Sequence, residues 1–115
     1  MINLTVLQRH TEGDRALIHR LSEIFDESYP STLESIADAI ASRAWEQLRR
    51  PLHKLKGTLG DIGGTAALGL VSALSRDRRA EDAVAADRNL ARLQSILRVT
   101  SERLAEIATD GENGN

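Results

Sequence analysis

The chain carries three histidines and no cysteine, so nucleophilic chemistry falls to imidazole, hydroxyl or carboxylate groups, and thiolate metal sites are excluded. The informative stretch is Arg49 to Gly64, reading Arg-Arg-Pro-Leu-His-Lys-Leu-Lys-Gly-Thr-Leu-Gly-Asp-Ile-Gly-Gly. Placed on a helix at about 100° per residue, Leu48, Leu52, Leu55, Leu59 and Ile62 gather on one side, and His53 falls opposite them, toward solvent. Lys56 flanks the histidine one turn on, Gly57 lies beside it, and Gly60 follows two turns away. A glycine inside a helix costs about 1 kcal/mol relative to alanine. What it gives here is access: another protein can bring a reactive group up to the imidazole. Neutral imidazole, with a reference pKa of about 6.5, is a good nucleophile toward phosphorus near neutral pH. Lys56 can pair with phosphoryl oxygens as a mobile point charge, and phosphoryl transfer needs mainly positioning and charge stabilisation. The candidate site is therefore His53 as an accessible nucleophile, Lys56 as a flanking cation, and Gly57 and Gly60 as the open approach.

Arg49 and Arg50 precede His53 by four and three residues, which brings both within reach of its surroundings. They are expected to dock an anionic partner. His10 and His19 lack a neighbouring Lys-Gly and are read as structural, at the surface or half-buried. No His, Asp and Glu set has metal-ligand spacing, so no metal site is expected. The glycines from 60 to 64 do not form a phosphate-cradling loop, because no strand precedes them and the Lys-Ser/Thr pair is missing. Trp45 is assigned to core packing or to covering a helix end. Arg76-Asp77-Arg78-Arg79 is read as a solvated connection.

These residues need helices to position them. Aromatics make up 3% of the chain, and Leu, Ile and Ala dominate the apolar set, which favours helix over sheet. A short helix is predicted from Leu4 to about Thr11, ended by Gly13, and Asp14 caps a second running to about Ser28 with Leu17, Leu21, Ile24 and Phe25 inward. Tyr29-Pro30 reads as a break. Ser31-Thr32-Leu33-Glu34 reads as a capping box opening a third helix, with Leu33, Ile36, Ala37 and Ile40 inward. Ser42 is expected to cap a fourth, from about Arg43 to Leu59. A fifth covers about Thr65 to Arg76, with Leu68, Val71 and Leu74 inward, and a turn follows within residues 77–83. The last helix runs from about Ala85 to Ala108, where Ala86, Leu90, Leu93, Leu97, Thr100, Leu104 and Ile107 form a bundle seam. Residues 1–109 make one domain, and the polar, Gly-rich residues 110–115 a disordered tail.

The run His53-Lys54-Leu55-Lys56-Gly57-Thr58, with Gly63 ten residues past the histidine, resembles the signature of the histidine-phosphotransfer (HPt) domain family. Upstream, Gly13-Asp14, Leu17, Leu21, Phe25 and Pro30 resemble the family's first long helix and its break, so the likeness spans about residues 4–108. The resemblance implies an all-α fold, an antiparallel four-helix bundle with a short extra N-terminal helix. It implies that His53 is phosphorylated, that Lys56 assists, and that Gly57 keeps the approach clear. The implied partners are response-regulator receiver domains, whose aspartate gives or takes the phosphoryl group from an acidic pocket, together with a hybrid sensor histidine kinase. No cofactor is implied for this chain, since the Mg²⁺ used in transfer belongs to the receiver. The chain departs from the family pattern at Pro51, where a mid-helix proline would remove a hydrogen bond and kink the helix at a cost of about 3 kcal/mol.

The expected function is thus a histidine phosphocarrier in a bacterial two-component phosphorelay, without autokinase activity, because nothing resembles an ATP-binding region. The alternative is a non-phosphorylated helical-bundle adaptor that binds receiver or kinase domains, and a phosphate drain would use the same histidine. The formal net charge of −2 with mixed signs argues against nucleic-acid binding. No signal peptide or bilayer-spanning run is visible, so a cytoplasmic monomer without direct membrane contact is expected.

Overall fold

The computed structural model describes the backbone of residues 2–113 and the side chains of residues 2–110. The elements in chain order are α1 (Leu4–Thr11), α2 (Arg15–Ala41), a single 3-10 turn (Trp45–Leu48), α3 (Arg49–Ile62), α4 (Thr65–Ala80) and α5 (Ala83–Asn113). The chain is all-helical, apart from one isolated antiparallel bridge between Ile2 and Gly64 among the described residues. No described helix is long and apolar enough to cross a membrane. Of the disordered tail expected over residues 110–115, the backbone to Asn113 continues α5 beyond the predicted end at Ala108, and residues 114–115 lie outside the described residues.

Local capping sets several helix ends, among them the expected start of α2 at Asp14. The Asn3 side chain accepts from the amides of Thr5 and Val6 to open α1, and Asp14 accepts from Leu17 to open α2. Residue 12, just before the predicted Gly13 stop, takes the left-handed conformation that closes α1. The turn between α4 and α5 is tight: Glu81 is left-handed, and Asp82 accepts from the amide of Ala85. The predicted fifth helix therefore continues past Arg76 to Ala80, and α5 starts two residues earlier than Ala85.

Tyr29-Pro30 does not break the chain into two helices. Pro30 lies inside α2, and the proposed capping box is mid-helix: the Ser31 and Thr32 hydroxyls both donate back to the Ser28 carbonyl. The reason is tertiary. Ile18, Ser22, Phe25, Tyr29, Thr32, Ile36 and Ala39 form one uninterrupted stripe, buried or half-buried against the bundle, with steps alternating four and three. Burying that stripe on both sides of Pro30 outweighs the lost bond to the Asp26 carbonyl. The inward face is also rotated from the one expected: Ile18, Ser22 and Phe25 are buried, whereas Leu17 and Ile24 are 40% and 46% exposed.

Ser42 closes α2 instead of opening the next helix, its amide donating to the Asp38 and Ile40 carbonyls. Residues 43–44 then turn into the 3-10 segment, where Trp45 packs half-buried on the core. The His53 helix consequently begins at Arg49, and Pro51 is its third residue. An α-helix has no intrahelical acceptor for its first four amides, so proline there forfeits nothing. Pro51 does not interrupt α3, which runs on through Gly60 to Ile62.

α2 packs on α5 and α3, and α4 packs on α5 and α3, closing a circuit around one core. The long helices α2 and α5 outreach α3 and α4, and α1 packs on α3 with Leu7 buried in the shared core. Arg15 at the start of α2 donates to the carbonyls of Ile107 and Ala108, tying that end of the molecule together.

Candidate functional site

α3 is the most sharply two-sided helix of the chain. Leu52, Leu55, Leu59 and Ile62, with Leu48 from the preceding turn, are at most 3% exposed and fix its rotation. The opposite face is then set by geometry, and it carries exposed His53, Lys56 and Gly57, with Gly60 half-exposed one turn further. His53 has no hydrogen-bond or ion-pair partner among the described residues, and neither has Lys56. The other two histidines are engaged: His10 Nδ1 lies 3.3 Å from Asp61 Oδ1 across the α1–α3 contact, and His19 Nδ1 lies 3.4 Å from Glu23 Oε1 within α2. His53 is the histidine whose ring is left to an incoming group.

The four glycines of the segment divide into two kinds. A Cβ on Gly57 or Gly60 would meet nothing within 4 Å, so no contact inside the chain requires glycine at either place. Gly63 and Gly64 are different. Gly63 has φ +72°, and a Cβ there would come within 2.5 Å of the Asn3 carbonyl oxygen. Its own carbonyl accepts from the Asn3 amide at 2.7 Å, and its amide and that of Gly64 both donate to the Leu59 carbonyl. Gly63 therefore ends α3 and seats the N-terminal strand of chain on it. Gly57 and Gly60 only leave the His53 face bare.

His53 and Lys56 lie on the wall of an open groove between α3 and α4. Arg49 and Arg50 line the same groove. Arg49 is partly engaged, with Nη1 3.7 Å from Glu46 Oε2. Gly57 and Gly60 lie beyond the groove, further along the same face of α3.

Sequence reasoning missed the opposite wall. Val71, Ser75, Arg78 and Arg79 of α4 face His53 across the groove. The segment read as a solvated connection is thus the last turn of a helix. Arg78 is only 18% exposed, with Nη1 3.3 Å from Glu46 Oε1, and Asp77 accepts from Asn89 Nδ2 at 2.7 Å. The signal was present in the spacing of 71, 75, 78 and 79, which is one helical stripe, but it required α4 to extend to Ala80.

Chemically, the arrangement offers an unpartnered imidazole, a mobile ammonium one turn away, and an approach free of side chains on one side. Among the described residues no group of three or more His, Asp or Glu could hold a metal ion.

In a comparison with known families, the model of the Hpt domain matches residues 20–110, most of the chain. Searches of curated proteins and of solved structures return no match. Domains of the matched family are histidine phosphocarriers of phosphorelays that interact with receiver domains and kinases, and they are not ATP-dependent kinases.

Proposed function

The chain belongs to the Hpt domain family, and from that premise we propose that it is a relay intermediate phosphorylated on His53. The circuit of α2, α3, α4 and α5 is read as the family's antiparallel four-helix bundle, with α1 as the extra N-terminal helix. In the reaction, a ring nitrogen lone pair of His53 attacks the phosphorus of a receiver's aspartyl phosphate. The P–N bond forms as the P–O bond breaks, and the aspartate leaves as a carboxylate. The reverse step, on a second receiver, returns the phosphoryl group to an aspartate. Lys56 neutralises phosphoryl oxygen charge through the transfer, and Gly57 and Gly60 admit the receiver backbone. Mg²⁺ is assigned to the receiver, and the chain acts as a cytoplasmic monomer.

The observation that carries this reading is the bare, unpartnered His53 beside two helical glycines that no internal contact requires. Pro51, whose mid-helix placement would have favoured a binding-only adaptor by disturbing the His53 helix, stands in the first turn of α3 and leaves that helix uninterrupted. The test is transfer from a panel of phosphorylated receiver domains to the native chain and to His53→Gln. Acid-labile, base-stable label on the native chain and none on the variant is the expected result. Label on both would move the site to another residue, and label on neither would leave an adaptor.

A further inference from the structure

The groove beside His53 is strongly asymmetric in charge. Arg49, Arg50, Lys54, Lys56, Arg78 and Arg79 line it, against the single carboxylate of Glu46. This concentration of positive charge stands in a chain of formal charge −2. The other shoulder of α3 is different. There α2 contributes Ser31, Thr32 and Ser35 to a small depression with Arg50 and Lys54, and all three hydroxyls are spent on carbonyls of their own helix. Arg50 and Lys54 border both sides, so the asymmetry lies in the facing helices: α4 presents Arg78 and Arg79 to an anionic surface approaching His53, whereas α2 presents neutral, self-satisfied hydroxyls.

We propose that the receiver docks on the α4 side, with its acidic pocket seated against Arg78 and Arg79, and that these two arginines set partner selection for the His53 site. The inference rests on the relay reading. It adds a second helix to the docking face, and it assigns the two arginines different parts. Arg79 is exposed and without a hydrogen-bond or ion-pair partner among the described residues, so it acts on encounter, as a charge at an interface rim does. Arg78 is sheltered, and its ion pair with Glu46 occupies only one of its guanidinium nitrogens, Nη1. Its remaining donors are available to a carboxylate or phosphoryl group entering the groove. Glu46 holds Arg78 and Arg49 in place before the partner arrives.

Both arginines also lie in the last turn of α4, where cations favour the helix dipole. That role would appear in thermal stability alone, so the experiment reads transfer kinetics beside it. The probe is the receiver that labels the native chain, charged with acetyl phosphate and Mg²⁺. Transfer is followed against receiver concentration for the native chain, Arg79→Glu, Arg79→Gln and Arg78→Ala, with Arg92→Glu, exposed on α5, as a charge-matched control. Arg79→Glu should raise the half-saturating receiver concentration about tenfold at low salt, with Arg79→Gln in between, and the difference should shrink in ~0.5 M salt. The rate at saturating receiver should change less than about twofold for Arg79→Glu, and Arg92→Glu should match the native chain. If Arg79→Glu behaves as Arg92→Glu, or if only melting temperatures move, the α4 docking face is refuted while the relay stands. If no receiver labels the native chain, the relay reading falls, and the docking face with it.

Discussion

Replacing Gly57 separates the needs of the fold from the needs of the site. The position is exposed within α3, and an added Cβ meets nothing within 4 Å. Gly57→Ala should therefore stabilise the domain by the full helix-propensity difference, about 1 kcal/mol. For a domain of this size that is a rise of roughly 4–6 °C in melting temperature. Gly57→Gln should keep part of that gain, roughly 0.5 kcal/mol, because glutamine is also a good helix former. It differs in placing a long side chain beside His53, where side chains one turn apart have Cβ atoms about 5–6 Å from each other. If the glycine serves receiver approach, Gly57→Gln should slow single-turnover transfer about tenfold or more, a barrier increase of about 1.4 kcal/mol. Circular dichroism melts and single-turnover transfer from a phosphorylated receiver, run on the same preparations, measure both quantities. A stabilised Gly57→Gln that transfers at the native rate would refute the access argument. A destabilised Gly57→Ala would refute the reading of the structure itself.

Gly63→Ala should behave in the opposite way, because its left-handed φ costs a non-glycine residue about 1–2 kcal/mol and the new Cβ collides with the Asn3 carbonyl. We expect a loss of roughly 2–4 kcal/mol in urea unfolding, and a native-like stability would show that α1 does not depend on this contact. Pro30→Ala should restore a donor for the Asp26 carbonyl in mid-helix and stabilise by roughly 1–3 kcal/mol. Pro51→Ala, in the first turn of α3, should change stability by less than about 0.5 kcal/mol. Equal effects of the two proline substitutions in thermal melts would contradict the helix boundaries. His53→Gln should leave stability within about 0.5 kcal/mol of native, since the side chain is exposed and unpartnered, while removing all acid-labile label.

Much of the site was legible because it depends on a single helix. The five leucine and isoleucine positions from 48 to 62 define one face, and the opposite face then follows from 3.6 residues per turn. His53, Lys56, Gly57 and Gly60 were placed by that rule without any tertiary information. Helix ends with a local cause were legible too, including Asp14 at the start of α2 and the left-handed closure of α1 beside Gly13. The misreadings share a cause of their own. Pro30 and Ser31 each carry a local preference worth about 1–3 kcal/mol, and both were overruled by burial of the longer α2 stripe, while Ser42 closes α2 where it was expected to open the next helix.

The amino-acid sequence by itself determined that the chain is helical, that His53 faces outward beside two bare glycines, and that the likeness to the Hpt family spans the domain. Periodicity and local capping are short-range properties, and they are written residue by residue. Only the tertiary structure decided that α2 runs unbroken through Pro30, that α3 starts late enough to make Pro51 harmless, and that Arg78 and Arg79 stand across a groove from His53. Those outcomes depend on which faces of distant helices meet. That is settled by the sum of burial over the whole core, a quantity no local window of the chain contains.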